Sequence, residues 1–310
     1  MGEKILYLFA SGLIRFLQAL PLRTVARLGR FGGGLAYALD ARHRKVALRN
    51  LQSCFGNEKS AEEIQQLARE NFKRIGESYA CGIKTAGMPF SEVRQYVDFV
   101  GAEHIVPSEA ETTPPSRVVA IGHFGNFELY ARFGQFTKAF ECMTTYRGLP
   151  QPSLNRLLQS LREQSGCLFF ERRKDGSALK AAMNGPGKML GLLCDQHAGD
   201  NGLRLPFFGR DCSTSSAPAV FALRYRCRLF TGFCFRTALG KWRLEAGPEI
   251  PTTENGESRS TAAIMLDVNK AFEEAVRRDP ANWFWVHNRW KLGPPKAAAP
   301  PPPDEPALTP

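Results

Sequence analysis

The stretch Val118-Val119-Ala120-Ile121-Gly122-His123-Phe124-Gly125-Asn126-Phe127-Glu128 constrains this chain more than any other. Its four leading apolar residues, three of them β-branched, suit a strand buried on both faces. Gly122 and Gly125 permit a close turn, and the residues from Phe124 onward can open a helix. His123 is thereby placed at the mouth of a strand-to-helix junction, with Glu128 on the first turns of that helix.

Side chains five apart do not stack on a straight helix, where neighbours lie three or four apart. If His123 sits in the turn before the helix, the chain can fold back so that Glu128 meets one imidazole nitrogen and leaves the other facing a cleft. The expectation is a base and its orienter: His123 takes a proton from a hydroxyl while Glu128 fixes the tautomer and supports the cation. A histidine capping a carbonyl, beside a solvated glutamate, fits the same residues.

Charge narrows the partner. Against 30 acidic residues stand 41 Lys and Arg, a formal net charge of +11 over 310 residues. Such a balance points to a polyanion: nucleic acid, an anionic membrane surface or a phosphorylated substrate. No GxGxxG or GxxxxGK[ST] loop accompanies the strands, which argues against a dinucleotide or P-loop enzyme, and no nucleic-acid module is recognisable. The eight cysteines show no CxxC spacing and read as small buried side chains in a reducing compartment. His123, Glu128, Asp195 and His197 form no compact ligand motif, so neither metal nor cofactor is expected.

The amino end carries the membrane signal. Residues 5–20 are strongly apolar, but Arg15 and Gln18 interrupt them and Pro21 follows, which is short of the roughly 20 clean residues a spanning helix needs. With Lys4, Arg15, Arg23, Arg27, Arg30, Arg42, Arg44 and Lys45 around that apolar surface, residues 1–45 read as helices lying on an anionic leaflet. Helices packed on the body of the protein are the competing reading. The glycines at 32–34 mark a break or a close-packing point between two short helices.

The remainder alternates. A helix over 60–81 opens on the capping box Ser60/Glu63. Strands are expected near 139–145, 167–170 and 189–194, with helices over 155–164 and 177–184 between them. Residues 205–209 read as mobile apolar surface. Further on come a helix over 217–223, strands over 228–236 and 242–246, and a helix from Ser260. The Trp-rich stretch 282–291 closes a core or groove, with Arg289 and Lys291 at its polar edge. The class is α/β, a mixed central sheet flanked by helices, divided as 1–45 membrane-associated helices, 46–292 catalytic domain and 293–310 a disordered Pro-rich tail.

Other candidates cluster at strand and helix ends. Asp195 follows an apolar strand, at the edge where an α/β sheet presents polar groups to a ligand; it can orient an arginine, bind substrate or cap the next turn. Arg147, Arg156 and Arg162 suit phosphate, carboxylate or a developing oxyanion, and surface salt bridges equally. Gly125 and Asn126 are placed on the substrate wall, and backbone N–H groups just after His123 are candidate oxyanion donors.

The His123/Glu128 element, Asp195-Gln196, Leu205-Pro206-Phe207-Phe208-Gly209 and Trp283-Phe284-Trp285-Val286-His287-Asn288-Arg289-Trp290-Lys291, taken in order, resemble the bacterial lipid A biosynthesis acyltransferases, the late lauroyl or myristoyl transferases within the lysophospholipid acyltransferase superfamily. Pro21-Leu22 and Arg42-His43-Arg44-Lys45 leading to Asn50-Leu51 also fit, so the resemblance covers roughly residues 5–293. It implies a glycerolipid-acyltransferase-like fold on the cytoplasmic face of the inner membrane. It also implies an acyl thioester donor on acyl carrier protein or coenzyme A, and a lipid A-type glycolipid acceptor. His123 would be the general base and Glu128 its charge-relay partner, with Arg147 and Arg156 on a phosphate-binding wall and Asp195 organising the site. Transfer to another glycolipid or a lysophospholipid, or a non-catalytic membrane-binding protein on the same fold, are the alternatives.

Overall fold

The computed structural model describes residues 2–106 and 114–292. The expected tail at 293–310 and part of the connection at 112–115 lie outside them. Four helices come first: α1 Gly2–Ala19, α2 Leu22–Leu39, α3 Ala41–Phe55 and α4 Ala61–Ala86. Asp40 caps α3 through the backbone N–H of His43, and Ser60 and Glu63 form the capping box of α4. The division drawn at residue 46 falls inside α3.

The glycines at 32–34 do not break α2, which runs unbroken over its 18 residues. Of the three only Gly33 serves close packing: there, and at Gly29 one turn earlier, a Cβ would collide with the α4 backbone near Phe72 and Gly76. Buried Glu77 of α4 pairs with Arg30 of α2 and accepts from Arg236 at 2.8 Å, which ties the amino-terminal helices to the α/β body.

After α5 Phe90–Val93 the sheet begins with β1 Val97–Val100, α6 Ala102–Ile105 and β2 Arg117–Ile121. A 3-10 turn, Phe127–Arg132, leads into α7 Phe133–Thr137, so the segment after His123 is tighter and shorter than the helix the sequence suggests. There follow β3 Glu141–Tyr146, α8 Pro152–Glu163, β4 Leu168–Glu171, α9 Gly176–Ala182 and β5 Lys188–Leu193. Then come β6 Leu203–Phe207, β7 Arg210–Thr214, α10 Ala217–Arg224, β8 Arg228–Ala238, β9 Lys241–Ile250, the small β10 Thr253–Glu254 and β11 Glu257–Ser258 hairpin, α11 Thr261–Arg278 and a 3-10 turn at Pro280–Asn282.

Seven strands make one mixed sheet in the order β1-β9-β8-β2-β5-β3-β4. All neighbours are parallel except β8 and β9. β2 lies at the centre with every residue buried. One face of the sheet carries the larger core, where Val118, Ala120, Leu190 and Leu192 meet Phe272, Val276, Trp283 and Trp285. On the other face the 3-10 turn and α7 cover Val119, Ile121 and Met189.

Within 205–209 the apolar side chains Leu205, Phe207 and Phe208 are buried, and only Pro206 and Gly209 are exposed. The stretch belongs to the β6/β7 hairpin, with Phe207 at 1% exposure against Trp283 and Trp290. Arg289 likewise is fully buried and not at a polar edge. It donates to Gln196 O at 2.6 Å, Ser213 O at 3.1 Å, Thr214 Oγ1 at 3.1 Å and Asn269 Oδ1 at 3.3 Å. Two buried asparagines hold the Trp-rich segment from the helical side. Asn50 Nδ2 donates to Trp285 O and His287 O, and Asn71 Nδ2 to Ala281 O and Trp283 O. The Trp-rich segment is thereby pinned over the open ends of β2 and β5.

Candidate active site

Register, not sequence proximity, assembles the site. β2 and β5 pair in parallel with Ile121 opposite Leu193, and Cys194 N–H continues the ladder to Ile121 O at 3.0 Å. Two residues on, His123 meets Asp195. Neighbouring strands lie about 4.8 Å apart, so groups at equivalent positions past the strand ends are within hydrogen-bonding reach.

Asp195 is 1% exposed and takes three donors. His123 Nδ1 lies 2.7 Å from Oδ1, while the His123 backbone N–H and the Trp283 indole N–H both donate to Oδ2 at 2.8 Å. Burial pushes this carboxyl up. The His123 charge, the two bonds from His123 and the indole bond outweigh it and hold the group down at about 2. Asp195 is therefore a carboxylate at neutral pH, and Nδ1 is the nitrogen that carries the proton toward it. Gly122 is required here, since a Cβ would fall 2.6 Å from the Phe124 ring and 3.2 Å from Asp195 Oδ2.

With Nδ1 so occupied, Nε2 is the free basic nitrogen. The His123 side chain keeps 16% exposure, at a cleft bounded by Ser78 and Tyr79 of α4, by Phe127 and by Phe284. Its ring packs on Phe127 at 4.9 Å and Phe284 at 5.8 Å. An imidazole oriented by a buried carboxylate and presented to a cleft can act as a general base toward a hydroxyl.

Glu128 does not occupy the place expected for it. The 3-10 turn directs its carboxylate to α8, where Arg162 grips it with two bonds, Nη2 to Oε1 at 2.7 Å and Nε to Oε2 at 3.1 Å. Arg162 in turn lies 4.9 Å over the Phe169 ring. The nitrogen that the sequence reserves for Glu128 is held by Asp195, because the strand register delivers Asp195 beside it.

The remaining candidates separate. Gly125 has φ +48°, and a Cβ there would lie 2.6 Å from Cys234 O, so its small size serves backbone approach to β8. Asn126 is buried at 1% and turns inward, with Nδ2 3.3 Å from Thr85 Oγ1. Arg147 and Arg156 are exposed, the first just past the end of β3 and the second on α8. The N–H groups of Phe124, Gly125 and Phe127 already donate to Gly122 O, Asn282 O and Gly125 O, so these three are not available to an oxyanion.

Trp283 belongs to the site, whereas the sequence places it only in a core or groove. Its indole reaches Asp195 from the far end of the chain, and no local signal marks that contact. Among the described residues no cluster of three or more His, Cys, Asp or Glu could hold a metal ion.

The family model for bacterial lipid A biosynthesis acyltransferases matches residues 3–292. The lipid A biosynthesis palmitoleoyltransferase of Escherichia coli K12 is 26% identical over 299 residues, 92% of this chain and 91% of that protein. The lipid A biosynthesis lauroyltransferase of the same organism is 26% identical over 291 residues, 91% of this chain and 90% of that one. A lipid A biosynthesis acyltransferase of Shigella flexneri matches at 26% over 299 residues.

Proposed function

The chain belongs to the bacterial lipid A biosynthesis acyltransferase family and is an acyltransferase, and from that premise we propose that it moves a fatty acyl chain from a thioester to a hydroxyl of a lipid A-type glycolipid, with His123 as the general base and Asp195 as its orienting carboxylate. The observation that carries this reading is the 2.7 Å contact of His123 Nδ1 with buried Asp195.

The chemistry follows from that pair. His123 Nε2 removes the acceptor hydroxyl proton as the oxygen attacks the thioester carbonyl carbon. Asp195, accepting from Nδ1–H, steadies the imidazolium so formed. Collapse of the tetrahedral adduct breaks the C–S bond, and the departing thiolate takes the proton from Nε2. Proton and acyl group are both accounted for, and no residue of the chain need be acylated.

Phosphate recognition draws on the β3/β4 side of the sheet. β3 and β4 pair with Tyr146 opposite Glu171, which sets Arg147 beside Arg172, Arg173 and Lys174, all exposed past the strand ends. Such a basic corner, on the same carboxyl edge as His123, suits the phosphate of an acyl carrier protein- or coenzyme A-linked donor, or that of the glycolipid.

The amino end supplies the membrane contact. Among the described residues no helix is long and apolar enough to cross a bilayer. α1 buries only Leu17 and leaves Ile5, Leu8, Phe9 and Phe16 more than half exposed; α2 does the same with Phe31 and Leu39. With exposed Arg15, Arg23 and Arg27 among them, these helices suit the surface of an anionic membrane, where the glycolipid resides.

Incubating the protein with defined acyl thioesters and a glycolipid acceptor, then weighing the product by mass spectrometry, tests the reading. Added acyl mass that disappears in His123→Ala is expected. No added mass with any donor–acceptor pair would overturn it.

A further inference from the structure

The two oxygens of Asp195 are used unequally. Oδ1 faces His123 Nδ1 at 2.7 Å and nothing else, whereas Oδ2 takes the His123 backbone N–H and the Trp283 indole N–H, both at 2.8 Å. With Oδ2 gripped from two elements the carboxylate cannot swing, and Oδ1 is left to the ring alone.

A buried indole N–H commonly finds an acceptor for its own sake, and two other indoles of this chain do so at backbone carbonyls. Trp285 donates to Pro280 O at 2.7 Å and Trp290 to Phe207 O at 3.1 Å, while Trp242 Nε1 has no partner. Trp283 alone donates to a side chain, and it does so from a rigid seat. It is 1% exposed, its carbonyl accepts from Asn71 Nδ2 at 2.5 Å, its backbone forms an antiparallel bridge with Phe124, and its ring meets the edge of Trp285 at 4.7 Å. The indole therefore stays in place if the carboxylate shifts.

A donor to a carboxylate draws off part of its charge and steadies the anion. The same charge holds the proton on His123 when the ring becomes a cation, so what the indole takes is lost to the imidazolium. Other groups also face the pair. His287 and Arg289 come from the Trp-rich segment, Cys194 and His197 flank Asp195 in the chain, Tyr130 comes from the 3-10 turn after His123, and Arg74 and Tyr79 of α4 border the cleft. None of these donates to Asp195 among the described residues, so the indole is the one neutral donor through which a distant element reaches the carboxylate.

We propose that Trp283 is a positioning residue for the transfer: its indole N–H holds Asp195 so that Oδ1 faces His123, and it weakens the pull of that carboxylate so that His123 gives up its proton readily at neutral pH. The inference rests on reading His123 as the base with Asp195 as its partner, and it has a readout of its own that needs no turnover.

The experiment compares the full chain with Trp283→Phe, which keeps a ring and removes the donor. The pH profile of kcat/KM is measured with the acyl thioester and glycolipid pair that gives added mass. In parallel, modification of His123 by diethyl pyrocarbonate, which attacks the neutral ring, is followed against pH by peptide mass spectrometry. Expected in Trp283→Phe is an acid limb moved up by about half a pH unit or more, with the modification midpoint moving the same way. Trp285→Phe removes an indole from the same cluster that does not touch Asp195, and it should lower stability while leaving both curves in place. Curves unmoved or moved down in folded Trp283→Phe overturn the proposal, and so does an equal shift in Trp285→Phe. If Trp283→Phe fails to fold, the parent sequence made with 5-fluorotryptophan decides. Its indole N–H is the stronger donor, so both curves should move down, and unchanged curves overturn the proposal. A modification curve that follows Trp283 in a protein that transfers no acyl group would keep the positioning of His123 and remove the proposed function.

Discussion

His123 and Asp195 stand 72 residues apart in sequence and 2.7 Å apart in space, each two positions beyond the register pair Ile121 and Leu193. The carboxylate meets the histidine twice, at the ring and at its own backbone N–H. A single residue thus fixes both where the turn sits and which ring nitrogen is protonated.

Asp195→Asn should abolish most turnover without unfolding the protein. Two donors, the His123 N–H and the Trp283 indole, converge on Oδ2, so the amide oxygen will take that position and turn its NH₂ toward Nδ1. The imidazole must then carry its proton on Nε2, the wrong tautomer for a base. A loss of about 10³–10⁴ in kcat is expected, with KM nearly unchanged. Glu128→Gln leaves the tautomer alone and loosens only the Arg162 contact, so its loss should stay within about 10²-fold. Equal losses in the two variants would return the relay role to Glu128.

His287 should make stability fall in mild acid. Burial pushes its imidazole down to about 4, against the pull of Asp195, and its Nε2 accepts from the His197 backbone N–H at 2.9 Å. The folded state therefore holds a neutral ring while the unfolded chain takes up a proton below its ordinary value of 6.5. The stability this group contributes is fully present above about 6.5 and drains away as pH falls toward 4. Urea midpoints measured from pH 7 to pH 4.5 should decline, and His287→Gln should flatten that decline. An equal slope in the variant would refute the assignment.

Arg289→Met should cost about 2–4 kcal/mol, because it strands the buried acceptors of Gln196, Ser213, Thr214 and Asn269 that the guanidinium now satisfies. Denaturant unfolding monitored by tryptophan fluorescence would show it. A change within about 0.5 kcal/mol would mean that water replaces the guanidinium there.

Removing residues 2–19 should lower recovery with anionic vesicles more than it lowers the melting temperature. α1 contributes Leu17 alone to the core, and its polar ties to the body are few, among them Glu3 to Ser153 and Gln18 to Lys84. Vesicle sedimentation at two salt concentrations checks this, and unchanged partition would exclude the helix from the membrane contact.

Much of the fold is legible because it is written locally. The apolar run at 118–121, the Ser60/Glu63 capping box and the paired strand–helix segments after residue 139 each state their own geometry within a few residues. The glycines at 32–34 leave a break and a close-packing point equally open, and the 205–209 stretch misleads, because nothing local says what packs on them. In the folded chain the first meets α4 and the second the Trp-rich end.

Sequence alone determined the central element and where His123 stands, since a histidine between glycines at the end of a buried strand is set at a sheet edge. Which carboxylate meets its ring was decided by tertiary structure. Glu128 is near in sequence, but a 3-10 turn rotates it onto Arg162, whereas Asp195 is distant and is brought alongside by parallel register. Hydrogen bonding acts over about 3 Å, and separation along the chain does not measure that distance.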